Sequence, residues 1–290
     1  MGFKEEIQSG NFVVTAEVGP PKGTDISEMV HHIKGLKGKV TALNVTDNQS
    51  AVMRICTLAT AKEIMDIGIE PIYQMTCRDR NRLGLQSDLL GAAIMGIKNV
   101  LALTGDHPVL GDHKDAKAVF DIESVQLLEV INGLNEGRDM AGLELRGATD
   151  FFAGAIVTPE SIPFEPQLAK FKKKVNAGAK FFQTQAIYDM PKFMTFMERA
   201  KELDVPILAG ILLLKSAGMA KYLNKFVAGV SVPQELIDQL APLKGEDVLK
   251  KGIEIAGDQI AQLKDVCAGV HVMAIGAEDR VPDILAAAGL

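Results

Sequence analysis

Three short apolar runs in this chain end in groups that can donate, accept or stabilise a proton: Phe12-Val-Val-Thr-Ala-Glu17, Leu103-Thr-Gly-Asp106 and Phe181-Phe-Gln-Thr-Gln185. A carboxyl group in such a place acts as a general acid near neutral pH only where a dry pocket or a neighbouring negative charge favours its protonated form. A carboxylate beside it can stabilise a developing cation. A buried amide must find partners, and a ligand edge rich in donors and acceptors supplies them. Side chains alternate along a strand, so Gln183 and Gln185 face one side. Each group also has a plainer reading: Glu17 as a capping or ion-paired loop acid, Asp106 as turn chemistry in Gly-Asp-His-Pro, and Gln185 as a glutamine satisfied by a nearby loop. Three such ends on separate strand-and-helix units are nevertheless what a barrel needs to gather scattered residues at one mouth, and an enzyme is the leading expectation.

The elements that would position these groups follow from the hydrophobic pattern. Short apolar runs alternate with longer amphipathic ones, which predicts parallel strands joined by crossover helices. Strands are expected at 12–17, 41–46, 69–75, 99–104, 152–158, 180–185, 206–213 and 268–274. Each is apolar nearly throughout, as a strand covered on both faces should be. Between them, Ile55, Leu58, Ala59, Ile64, Met65 and Ile67 fall near helical spacing, and Asp25-Ile-Ser-Glu28 offers an N-terminal start for the first crossover helix. Eight such units in 290 residues fit a (β/α)8 TIM barrel, whose usual length is about 250. The surplus falls in a loop at Gly105–Ala118, an excursion at Gly133–Thr149, and extra helix in 215–266, where Val232-Pro233 should open a second helix. No Pro/Gly/Ser linker divides the chain, so residues 1–290 are expected to form one catalytic domain.

Composition excludes several classes. With 47% apolar residues and a net charge of −6 spread over interleaved acids and bases, the chain offers no general attraction for nucleic acid or an anionic membrane. A small ligand fits better. Cys56, Cys77 and Cys267 are scattered and form no Cys-x-x-Cys pair, so neither a disulfide framework nor a self-contained zinc or iron–sulfur site is expected. No run approaches the roughly 20 apolar residues of a membrane span, and the N-terminus lacks a signal-peptide core, so a reduced, cytoplasmic setting is expected. Gly-x-Gly-x-x-Gly, P-loop and Gly-x-Ser-x-Gly motifs are all missing, so a nucleotide-like cofactor would have to lie across loops at the barrel mouth.

Over nearly its whole length the chain resembles the flavin-dependent methylenetetrahydrofolate reductases, whose catalytic unit is a barrel of this size. The resemblance rests on Ala16-Glu-Val-Gly-Pro-Pro21, Asn44-Val-Thr-Asp-Asn48, Leu103-Thr-Gly-Asp106, Lys172-Lys-Lys-Val-Asn-Ala-Gly-Ala179 and Gln183-Thr-Gln185, in that order and spacing. It implies that reduced flavin passes a hydride from N5 to the methylene carbon of 5,10-methylenetetrahydrofolate, giving 5-methyltetrahydrofolate by ping-pong turnover. Glu17 matches the general acid that protonates N10 and opens the five-membered ring. Asp106 matches the aspartate beside flavin and pterin, and Gln185, with Gln183 on the same strand end, matches the glutamine that binds the pterin. For the flavin, FAD or FMN, the resemblance implies Thr46, Gln74, Thr76, Leu103, Thr104, Gly105 and Asp106, with Lys173 and Lys174 near the phosphates. Read alone, Lys172-Lys-Lys174 is a solvated helix face, and no more than two of the three can point at one ligand.

Departures from the family's well-known bacterial members concentrate on the nicotinamide and adenosine contacts. Ala217 stands where they carry a stacking Phe, Val272-Met273-Ala274 where they carry a Tyr, and Gln74 in place of a flavin-proximal His. Gln167 and Lys170 replace an Asp and an Asn that would grip the adenosine half of FAD. The electron donor is therefore expected to be either NAD(P)H or a partner subunit carrying iron–sulfur centres, with this chain an oligomer or a complex subunit. Two other readings share the barrel: a flavin-free pterin-dependent methyltransferase or lyase, and a non-catalytic subunit of a redox complex. The apolar face near Phe193, Phe196 and Met197 could serve as an interface or as core.

Overall fold

The eight apolar runs pair in sequence order, all parallel, into a closed barrel in the computed structural model, which describes residues 1–290. The strands are β1 (Val13–Val18), β2 (Ala42–Val45), β3 (Glu70–Thr76), β4 (Asn99–Leu103), β5 (Phe152–Val157), β6 (Phe181–Ala186), β7 (Ile207–Leu212) and β8 (Gly269–Met273). All eight lie within a residue or two of where the hydrophobic pattern predicts them. Closure pairs β8 with β1, setting Thr15 beside His271, while β2 sets Asn44 beside Glu17.

Helices α1 (Phe3–Gln8), α2 (Ser27–Leu36), α3 (Thr57–Ile67), α4 (Arg82–Ile94) and α5 (Ser124–Asn135) belong to the first half. In the second lie α6 (Phe164–Asn176), α7 (Met190–Ala200), α8 (Ala217–Phe226), α9 (Gln234–Leu240), α10 (Glu246–Leu263) and α11 (Val281–Ala287). The surplus between β7 and β8 is α8 and α9 ahead of the crossover helix α10, and Pro233 immediately precedes α9 as expected. Phe193 and Phe196 of α7 are fully buried, Phe196 packs against both Phe193 and Phe171, and half-buried Met197 packs on the same cluster, so the α7 face left open by sequence is core. No helix is long and apolar enough to cross a membrane.

Along the barrel axis the interior changes character. At the N-terminal end, Val13, Ile72, Leu101, Phe152, Phe181 and Leu208 form an apolar layer closed from below by Phe3 and Ile7 of α1. Helix α1 is not predicted by periodicity, because six residues are too few to show a 3.6-residue repeat and too few to hold a helix without packing. Phe3 stabilises it by standing edge-on to Phe181, with ring centroids 5.1 Å apart, and to Phe152 at 6.1 Å. Phe3→Leu should cost about 1–2 kcal/mol in urea unfolding through lost edge-to-face contact and a partial void. A loss below 0.5 kcal/mol, on the order of a surface substitution, would show that the plug contributes little.

Candidate active site

The C-terminal ends of β1 to β6 open onto a cleft of about 290 Å³. This is the end where barrel loops can converge on a ligand. Glu17, Thr46, Gln74, Thr76, Leu103, Thr104, Gly105, Asp106, Lys174 and Gln185 all line it, so ten residues singled out from sequence meet in one place. Two do not. Lys173 is exposed and lines a separate surface groove with Val125 and Glu129, because one residue along α6 rotates a side chain by about 100°. Gln183 points inward like Gln185, but one layer deeper, where it is 1% exposed and satisfied entirely by neighbouring side chains.

Glu17 sits at the wall of the cleft, its side chain 11% exposed. Gln49, from the loop after β2, donates from Nε2 to Glu17 Oε1 at 2.8 Å. His271 of β8 brings Nε2 to 3.7 Å from Glu17 Oε2. Beyond the Glu17–Gln49 bond lies a second chamber of about 440 Å³, bounded by the loops after β1, β2 and β8. Asp106 lies across the first cleft, exposed at its rim. Gln185 sits beside a register shift between β6 and β7, where Gly210 is required: a Cβ there would lie 2.5 Å from Thr184 O.

Asp47 anchors the floor beneath the β2 and β3 ends. Its Oδ2 accepts from Thr76 N at 2.8 Å and Thr76 Oγ1 at 2.9 Å, and also pairs with Arg80. Arg78, itself buried, donates from Nη2 to Asp47 O at 3.2 Å. Lys174 is buried among α6 and β5 and donates from Nζ to Ile156 O at 2.6 Å. Burial there brings the Lys174 ammonium down to about 8, with Lys170 pushing the same way. Asp47, Gln49, Arg78 and His271 were not singled out from sequence. Asp47 lies inside the quoted Asn44–Asn48 run, and His271 interrupts the apolar Val270-His-Val272, so a polar residue of inward parity was the available signal.

The cleft carries the marks of a ligand site rather than of an internal void. Thr46 Oγ1 is buried with no hydrogen-bond partner, which is costly unless something polar arrives there. Gly105 adopts φ +91° with its Cβ position 3.0 Å from Thr76 Cβ and 3.2 Å from Arg78 Cβ, so a side chain would be both strained and crowded. The result is a side-chain-free floor between polar groups of β2, β3 and β4, suited to a flat heteroaromatic ring system. Lys170 and Lys174 add a cationic side suited to phosphate, whereas the Arg78 guanidinium is already paired with Asp79.

The family model described as methylenetetrahydrofolate reductase matches residues 2–289. A 5,10-methylenetetrahydrofolate reductase of Pectobacterium carotovorum subsp. carotovorum is 28% identical over 264 residues, covering 87% of this chain and 81% of its own length. A probable methylenetetrahydrofolate reductase (NADPH) of Caenorhabditis elegans is 26% identical over 229 residues, covering 77% of this chain. The chain spans 33% of that relative's length and 32% of a Saccharomyces cerevisiae methylenetetrahydrofolate reductase 2. Among solved structures, an uncharacterized Clostridium thermocellum protein, described as binding two copies of 5-methyl-5,6,7,8-tetrahydrofolic acid, superposes with a TM-score of 0.70. That likeness covers 98% of this chain and 96% of the other at 16% identity, and it is a likeness of fold.

Proposed function

The chain belongs to the methylenetetrahydrofolate reductase family, and from that footing we propose that it reduces 5,10-methylenetetrahydrofolate to 5-methyltetrahydrofolate in the cleft at the C-terminal mouth of the barrel. The observation that carries this reading is the convergence of Glu17, Asp106 and Gln185, from the ends of three separate strands, around one cleft with an unpartnered Thr46 hydroxyl. The folate ligand of the Clostridium thermocellum fold neighbour agrees with it.

A flavin bound on the Gly105 floor would supply the hydride for the methylene carbon. The protein's own contribution is positioning and proton handling. Glu17 gives its carboxyl proton to N10 of the substrate, the N10–methylene bond opens, and a cation develops at N5. Gln49 keeps the Glu17 carboxyl pointed into the cleft by holding Oε1. Asp106 supplies negative charge across the cleft, and the Gln185 amide binds the pterin edge. Thr46, Gln74, Thr76 and Thr104 offer polar partners to a ring system, and Lys170 and Lys174 offer charge to its phosphate.

Absorbance of protein purified without oxygen tests this reading directly. The expected spectrum is that of a flavin, released by heat as FMN or FAD, and bleached when 5-methyltetrahydrofolate is added to the oxidised protein. A colourless protein that takes up neither flavin would overturn it.

Lys174 makes flavin retention depend on pH. Its ammonium is charged below about 8 and loses the proton above it, so affinity for the phosphate should weaken as pH rises through that value. Titrating apoprotein with FMN at pH 7 and pH 9 should give a several-fold weaker Kd at the higher pH; Lys174→Gln should flatten the difference. An equal pH dependence in both proteins would remove Lys174 from the phosphate site.

None of the residues lining the cleft is aromatic, and Ala217 and Met273 offer no ring to stack on a nicotinamide. This supports electron delivery by a partner subunit rather than by directly bound NAD(P)H. NADH mixed anaerobically with the flavoprotein should leave the flavin oxidised, and rapid bleaching would refute the partner route.

A further inference from the structure

Gln49, which holds Glu17, stands on a strained piece of backbone that the proposed chemistry does not itself explain. Asn48, Ser50 and Ala51, none of them glycine, have φ of +46°, +55° and +59°. Residues with a Cβ seldom adopt this left-handed region, and they persist there only where the surroundings over-determine them. Gln49 lies inside that run, and its Nε2 donates to Glu17 Oε1 at 2.8 Å along the wall between the cleft and the second chamber.

Three neighbouring loops fix the run. From the loop after β1, Pro21 O accepts from Ile55 N at 3.1 Å and Pro20 O accepts from Arg54 Nη1 at 3.1 Å. From the loop after β3, Asp79 Oδ2 accepts from Asn48 Nδ2 at 3.3 Å. The loop after β4 presses on the run itself. A Cβ built on Gly111 would lie 1.8 Å from Ala51 O, so the two backbones meet where no side chain could stand between them. Beside that contact, Asp112 Oδ1 accepts from Met53 N at 3.1 Å, while Oδ2 pairs with Lys22 of the loop after β1. The hydrogen bond from Lys22, joined by that from Met53 N, holds the Asp112 carboxyl well below the usual carboxylate range, so it is an ionised acceptor at neutral pH.

We propose that Asp112 is a positioning residue of the folate half-reaction, holding the strained loop after β2 so that Gln49 stays on Glu17. The inference rests on Glu17 being the acid of the proposed reaction. Gly111 and Asp112 belong to the loop that begins with Asp106, so one mechanical link sets Asp106 and Glu17 relative to each other across the cleft. Asp112 itself lines neither the cleft nor the second chamber. Its loss should therefore leave flavin and substrate contacts in place and reach only the orientation of the acid. A solvent-facing ion pair adds little to overall stability, so Asp112→Ala should still fold.

The first readout needs neither flavin nor folate. With 15N-glutamine label, the Gln49 side-chain amide is identified by its loss in Gln49→Ala, and Glu17→Ala marks where it resonates once the bond to Glu17 is gone. Asp112→Ala should move the Gln49 signal most of the way to that position, and Gly111→Ala, which pushes on Ala51 from the same loop, should move it likewise. Asp112→Asn keeps an acceptor for Met53 N and should leave the signal near its wild-type place. A Gln49 signal that Asp112→Ala leaves unmoved, or that Asp112→Asn moves equally far, overturns the proposal. In the flavoprotein, Asp112→Ala should slow flavin reoxidation by saturating methylenetetrahydrofolate by about 10- to 100-fold, the effect of a misplacement on the order of 1 Å, with KM and flavin content unchanged. Added to Gln49→Ala it should slow the reaction no further, because both substitutions break one contact. Losses that multiply, or a loss confined to KM, would also overturn it. A wild-type protein that performs no folate half-reaction would instead sink the proposed function, and the Gln49 signal would still decide whether Asp112 positions that side chain.

Discussion

Glu17→Gln protein should bind flavin and accept electrons into it at the wild-type rate, yet lose folate reduction by about 10²- to 10⁴-fold, the usual contribution of a positioned general acid. That loss corresponds to roughly 3–5 kcal/mol of transition-state stabilisation at about 1.4 kcal/mol per tenfold change in rate. The amide is nearly isosteric with the acid and can still accept from Gln49 Nε2 at its Oε1, so the wall of the cleft should keep its shape. What it cannot do is release a proton to N10 at neutral pH. Anaerobic stopped-flow absorbance separates the two halves of turnover: flavin reduction by a chemical or protein donor, then flavin reoxidation by methylenetetrahydrofolate. Normal reoxidation in the variant would remove Glu17 from the chemistry, and slow flavin reduction would show that the substitution had damaged the cofactor site instead.

Asp47→Ala should destabilise the fold by about 3–5 kcal/mol, because it removes the buried carboxylate shared by Thr76 and the half-buried Arg80 guanidinium, and leaves Arg80 only Asp88 at 3.5 Å. The side chain of Asp47 is 3% exposed and that of Arg80 is 22% exposed, so solvent can replace little of what is lost. Thr76 would lose the acceptor for both its backbone N–H and its hydroxyl, at the strand end that borders the cleft. Thermal unfolding should fall by roughly 6–15 °C for a chain of this size. Flavin retention should fall with it, since Thr76 and Arg78 both bound the Gly105 floor. Asp47→Asn keeps acceptor capacity at the same place and should cost clearly less. A change under 1 kcal/mol for Asp47→Ala in urea unfolding would mean that Arg80 finds another partner and that the floor is not held from this residue.

Much of the architecture was legible because covered parallel strands are apolar on both faces and their crossover helices are not. The ends of β1, β4 and β6 carried Glu17, Asp106 and Gln185 in positions where a barrel must expose them, and the resemblance to the reductase family added the flavin-side residues. The errors share one physical origin. Spacing along a strand or helix tells which direction a side chain points, but not how far along the barrel axis it sits or what stands opposite. Gln183 and Gln185 have the same parity, yet one is locked to Asn44 and Thr15 in the interior and the other reaches the cleft. Lys173 and Lys174 are adjacent, yet only Lys174 turns under β5 toward the mouth.

The period of each element, their order around the barrel and the identity of the acid-bearing strand ends all follow from local pattern along the chain. Closure of the barrel decided the rest. Only the pairing of β8 with β1 brings His271 beside Thr15 and under Glu17, across more than 250 residues of chain. Only the approach of the loop after β2 gives Glu17 its hydrogen bond from Gln49, and only the packing of β2 against β3 buries Asp47 with Arg80 and Thr76. Such contacts depend on strand register and stagger, which are properties of the closed sheet as a whole and leave no mark at any fixed spacing in the chain.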